Sequence, residues 1–150
     1  RNNENFKNIR PIQGAAIHLT KKEVSIALQI FFESIKYIKS WSETDKIHIV
    51  YLPSPITSYT WNEPIIYYYQ NFEEDIKSTM NEKNKINSIF IRNEINNFSK
   101  INNIKFIDIT DFTIKTALKN NLHGPLDWRH FNYNGYKNTS DYISKNLKTN

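Results

Sequence analysis

The sequence predicts an α/β fold built on a parallel sheet, a three-layer α/β/α arrangement, and two observations carry that expectation. Amphipathic helical stretches alternate along the chain with two short, mainly apolar runs, "IHIVYL" at 47–52 and "NIKFIDI" at 103–109. A short apolar run rich in β-branched residues suits a strand buried on both faces, as in a parallel sheet, whereas half-exposed antiparallel strands alternate. The order helix, strand, helix, strand, helix, helix then implies parallel strands joined by crossovers.

Each element has its own local signal. Residues 1–19 show no period and include Pro11 and Gly14, so they read as a loop or lead-in segment. Thr20 followed by Glu23 is a capping box, in which hydroxyl and carboxylate each satisfy an orphan backbone N–H. Val24, Ala27, Leu28, Phe31, Ile35 and Ile38 follow at helical spacing and predict a helix of about five turns. The first apolar run comes after the polar turn "SETDK". "PSPITSYTWNEP" is too rich in proline to be regular. It opens a long connection to about residue 84, with a short helix expected near "NFEEDIKSTM". Connections of that length are often functional. "INSIFIRNEINNF" predicts a helix with Ile91, Ile95 and Phe98 as its inward stripe, and the second strand ends in Asp108. "TDFTIKTAL" makes a short helix capped by Thr110 or Asp111. Beyond a Gly-Pro loop, Tyr136, Ser140, Ile143 and Leu147 mark the last helix.

Two strands are few for a sheet that ordinarily has about five or six. The remainder is expected from residues upstream, and a chain opening on "RNNENFKNIR" reads as the C-terminal portion of a longer protein forming one domain across 1–150. The composition agrees with a packed domain: 39% of residues are hydrophobic and 14% aromatic, which argues against intrinsic disorder. No run approaches the roughly 20 apolar residues of a membrane span. The formal charge of +5 invites a nucleic-acid reading. The lysines, however, are scattered singly between Asn and Glu, and a binding groove wants them clustered, so no nucleic acid is expected as partner. The absence of cysteine excludes disulfides and thiolate chemistry. It does not decide the compartment, for which the cell envelope or periplasm is preferred to the cytoplasm.

The densest chemistry is "HGPLDWRHFNYNGYK", residues 123–137. Asp127 and His130 lie three apart in a turn entering a helix, where their side chains can touch. A carboxylate accepting from Nδ1–H fixes the imidazole tautomer and leaves Nε2 as a general base. Other readings use the same residues. His130 can simply cap the helix start, and Asp127 can be an ordinary N-cap. His123, Asp127 and His130 can bind a divalent metal, although no fourth ligand is evident. No metal and no cofactor is expected. His18 and His48 read as structural. Ser54, between prolines and without a G-x-S-x-G elbow, reads as a loop residue. Tyr59, Trp61 and the run Tyr67–Tyr69 can stack on sugar rings or pack the long loop onto the core.

"PLDWRHFNYNGYKNTSDYI" resembles the last motif of the SGNH, or GDSL-type, hydrolases, in which Asp-x-x-His precedes a terminal helix, often as D-x-x-H-x-N-x-x-G. Asp127, His130, Asn132 and Gly135 fit that pattern. "IHIVYLPSP" followed by aromatics resembles the carbohydrate O-acetyltransferase-like branch. The resemblance covers the second half of the family's flavodoxin-like fold. It implies a serine-dependent esterase or acyltransferase with Asp127 and His130 catalytic, and with Tyr59, Trp61 and Asn132 against an ester substrate that is a small molecule or an acylated saccharide. The family's Gly-Asp-Ser nucleophile and its oxyanion-hole glycine and asparagine are not found in these residues and are expected in the upstream half of the polypeptide. The rival expectations are a non-catalytic α/β interaction module and, further off, a basic nucleic-acid-binding domain.

Overall fold

A computed structural model describes residues 19–42, 46–60, 65–70, 75–80, 85–124 and 130–148, the segments 65–70 and 75–80 by their backbone. The chain runs α1 (Lys21–Trp41), β1 (His48–Tyr51), β2 (Ile65–Gln70), β3 (Asp75–Met80), α2 (Ile86–Ile101), β4 (Lys105–Asp108), α3 (Thr110–Ala117) and α4 (Tyr133–Lys148). The protein is mixed α/β, and β1 pairs with β4 in parallel, His48 opposite Lys105 through Tyr51 opposite Asp108.

Helix α1 starts where the capping box places it. The Glu23 carboxylate accepts from Thr20 N–H at 2.7 Å, and Glu23 N–H donates to the Thr20 hydroxyl at 3.3 Å. Its inward residues Val24 and Leu28 form one buried cluster with Ile49 of β1, Ile95 and Phe98 of α2, and Ile104. Phe32 stacks on Phe98 at 4.2 Å, so the two helices interlock through rings as well as aliphatic side chains. Lys39 then donates to Asn102 O, closing the C-terminal ends together. Side chains alternate across a strand, so Ile49 and Phe106 face α1 and α2 while Val50 and Ile107 face the other way. Ile107 is buried as well. Ile49 and Ile107 are thus buried on opposite faces of the sheet, while His48 at the start of β1 is exposed.

Helix α2 ends in a Schellman motif. Ile104 N–H donates to Ser99 O and Asn103 N–H to Lys100 O. Asn103 takes the left-handed conformation, φ 52°, which Asn tolerates better than most residues. This reversal delivers the chain directly into β4.

Three local expectations need correction. The region of "NFEEDIKSTM" is not helical where it is described: Asp75–Met80 is a strand, paired antiparallel with Ile65–Gln70 in a separate two-stranded sheet. The partner "IIYYYQ" has the β-branched and aromatic composition that favours strands, and pairing overrides the weak helical pattern of the second segment. Helix α3 is capped by neither Thr110 nor Asp111. The Asp108 carboxylate accepts from Thr110 N–H at 2.9 Å, and Ile109 occupies the cap position. The inward face of α4 is Gly135 and Thr139, with Tyr142 stacked on Phe112 of α3 at 4.3 Å. Tyr136 and Leu147 are exposed, so the helix is turned by about one residue, roughly 100°, from the expected stripe.

Candidate functional site

The expected site lies at the N-terminal mouth of α4, and its described part is built on a narrow pairing. His123 forms an antiparallel bridge with Phe131, and Asn132 N–H donates to Leu122 O at 2.8 Å. The described residues on either side of 125–129 are therefore held against each other. His130 is exposed, the residue just before the bridge. Asp127 and Trp61 lie outside the described residues.

Asn132 and Gly135 have clear structural work. The Asn132 side-chain oxygen accepts from Gly135 N–H at 3.0 Å, which caps α4, while its amide nitrogen donates to Asn121 O at 2.9 Å and His123 O at 3.3 Å. One side chain joins helix start and preceding segment. Gly135 lets the helix sit against that segment, since a Cβ there would lie 2.3 Å from Leu122 O and 2.7 Å from the Phe131 side chain. In N-x-x-G, then, the asparagine caps and the glycine docks.

Tyr59 reaches the same place from the loop after β1. Its hydroxyl lies 2.9 Å from His123 Nδ1 and accepts from Leu122 N–H at 3.2 Å. Burial holds the His123 imidazole below its ordinary pKa, so it is neutral near pH 7. The tautomer of the neutral ring sets which of the two, the Tyr59 hydroxyl or Nδ1, donates in this hydrogen bond. The His123 ring also packs on Phe131, centroids 4.6 Å apart. Ser54 is engaged locally: its hydroxyl pairs with Thr57 Oγ1 at 3.1 Å, and its carbonyl accepts from Thr57 N–H and the Ser58 hydroxyl. It starts a 3₁₀ turn, Pro55–Thr57, whose prolyl residue suits that position. Among the described residues no group of three or more His, Asp or Glu side chains is placed to hold a metal ion, and no helix is long and apolar enough to cross a membrane.

A second feature stands beyond the carboxyl ends of β1 and β4, where open α/β sheets gather ligands. A cavity of about 200 Å³ is lined by Tyr51, Ser88, Arg92 and Thr110, together with Lys85, Thr57, Thr60, Ile89 and Ile114. Arg92 Nε donates to Asp108 Oδ2 at 2.6 Å and Nη2 to Asp111 Oδ1 at 3.3 Å. Asp108 thus caps α3 with one oxygen and orients Arg92 with the other. Burial raises the Tyr51 phenol above its ordinary pKa, with the nearby Arg92 charge pulling it down and Asp108 pushing it up. It remains a neutral hydroxyl across the physiological range. From sequence, Thr110 and Asp111 were read only as helix caps and Asp108 only as a strand end, because Arg92 and Asp108 lie on different elements and only the fold joins them.

Searches of protein families, of curated proteins and of solved structures found no match.

Proposed function

We propose that this chain forms the C-terminal part of a serine-dependent esterase or acyltransferase of the SGNH type, acting on small-molecule or saccharide esters. The carrying observation is the His123–Phe131 bridge, which closes the loop of Asp127 and His130 at the capped mouth of α4. A loop fixed at both ends costs a catalytic pair less ordering than a free one. The parallel β1–β4 pair is read as part of a three-layer, flavodoxin-like sheet completed by further strands.

In this reading His130 Nε2 takes the proton of a serine hydroxyl supplied from outside these 150 residues, and the serine oxygen attacks the ester carbonyl. His130 then returns the proton to the departing alkoxide. Asp127 accepts from Nδ1–H, holding the tautomer and stabilising the imidazolium. Tyr59, Trp61 and Asn132 belong to the substrate side of the proposal. Tyr59 and Asn132 act there through the segment 121–123 that they hold in place.

The test is hydrolysis of an aryl acetate, and of an acetylated saccharide, by the intact protein. His130→Ala should lower kcat by about 10³-fold or more, and Asp127→Asn by a similar or smaller factor. An unchanged rate in His130→Ala would place the base elsewhere and end the proposal.

A further inference from the structure

We propose that the cavity beyond the carboxyl ends of β1 and β4 binds a small oxyanion, a carboxylate or phosphoryl group, through Arg92 and Thr110. This proposal does not depend on the esterase reading.

Four observations carry it. The lining includes two cationic side chains, Lys85 and Arg92, and no carboxylate. The two aspartates lie on the guanidinium's Nε and Nη2 atoms. Nη1 has no acceptor among the described residues, so the carboxylates fix the plane of the fork and leave donors for a ligand. Planar guanidinium donors match carboxylate and phosphate oxygens in pairs, which makes a preoriented arginine a strong recognition element.

Thr110 is the second anchor. It is buried, 4% exposed, and its hydroxyl has no hydrogen-bond partner among the described residues. Buried hydroxyls are ordinarily paired, and leaving one unpaired costs about 1–3 kcal/mol. A ligand oxygen would remove that cost. Ser99 Oγ is likewise buried without a partner, but Ser99 does not line the cavity.

The third observation is the helix end. Thr110 begins α3, whose first N–H groups carry partial positive charge at the cavity wall. The Asp108 side chain satisfies one of them, at Thr110.

The fourth is size and surface. About 200 Å³ accommodates an anionic headgroup with a short carbon segment, and Ile89 and Ile114 supply apolar walls for the latter. Tyr51, Ser88 and Thr60 add polar side chains to the lining.

Titration calorimetry of the full protein, at constant ionic strength set with sodium chloride, tests the site with sodium phosphate and with sodium acetate as separate probes. Saturable binding of either supports it. Phosphate alone indicates a phosphoryl ligand, and acetate alone a carboxylate. Arg92→Lys keeps the charge and loses the fork, and should weaken binding roughly tenfold or more. Thr110→Val keeps the shape and removes the hydroxyl, and should weaken it severalfold. If Arg92→Lys does not fold, Thr110→Val carries the test. The proposal is overturned if neither anion binds saturably at millimolar concentration, or if binding persists unchanged in the folded variants.

Discussion

The mouth of α4 and the cavity beyond β1 and β4 are both polar and both partly buried, yet they differ in how far their hydrogen bonds are completed. At the mouth of α4, Tyr59, His123 and Asn132 share their polar atoms among themselves and with the backbone of 121–123 and Gly135. At the cavity, among the described residues, Arg92 has donors left over and the Thr110 hydroxyl has no partner. A completed network fixes geometry, while an incomplete one costs stability that a ligand can restore. The first region is therefore read as the frame that holds a loop in place. The second is read as a receptor.

The largest effect that would sharpen this contrast is at Gly135. Any Cβ there meets the carbonyl oxygen of Leu122, a backbone atom that cannot swing aside, together with the Phe131 side chain. Gly135→Ala should destabilise the fold by about 3 kcal/mol, the upper part of the range for overpacking, read as a fall in the denaturant midpoint. A change below roughly 0.5 kcal/mol would mean that α4 does not dock through this glycine.

Asn132→Ala comes next. It removes the α4 cap and both amide donors, and should cost about 1–2 kcal/mol in the same measurement. Asn132→Asp keeps the cap but loses the donors to Asn121 O and His123 O, and should fall between wild type and Asn132→Ala.

These two effects also show how much of the molecule could be read from its residues. Thr20 and Glu23 are three apart, so their capping box is local and visible in the sequence, and the structure has it. The strands β1 and β4 were equally legible, because each is a short run rich in β-branched and aromatic residues, and the two pair in parallel. Asn132 and Gly135 were legible as a motif but not as a cap and a docking point. The atoms they touch belong to residues 121–123 and 131, and only tertiary structure brings these together. The face of α4 was misread for the same reason. Gly135 offers no hydrophobic signal, yet its lack of a side chain decides which face turns inward. Arg92 gave still less warning, since its partner Asp108 is sixteen residues away across a helix and a strand.

A smaller effect concerns pH. Burial lowers the His123 pKa in the folded protein, so the unfolded chain binds the proton more readily. Its contribution to stability is fully present above the unfolded value of about 6.5 and is lost as pH falls through the folded pKa. Stability measured from pH 8 down to pH 5 should decline, and His123→Asn should flatten that decline. A variant with an unaltered slope would show that other groups set it.

The smallest expected effect tests the cavity most directly, because it compares one substitution at two places in one helix. Thr110 and Thr113 both lie in α3 and both are buried. The Thr113 hydroxyl donates to Ile109 O at 2.8 Å, whereas the Thr110 hydroxyl has no partner. Valine is nearly the same shape as threonine without the hydrogen-bonding oxygen. Thr113→Val should therefore cost about 1 kcal/mol, the ordinary net worth of a buried hydrogen bond. Ile109 O still accepts from Thr113 N–H, so no carbonyl is orphaned and the loss goes no higher. Thr110→Val in ligand-free protein should be neutral, or stabilising by up to about 1 kcal/mol, because it removes a desolvated hydroxyl that gains nothing from the fold. Chemical denaturation of both variants, in buffer free of carboxylate and phosphate, gives the two values side by side. If Thr110→Val proves as costly as Thr113→Val, the Thr110 hydroxyl already has a partner within the fold, and the cavity loses one of its two anchors.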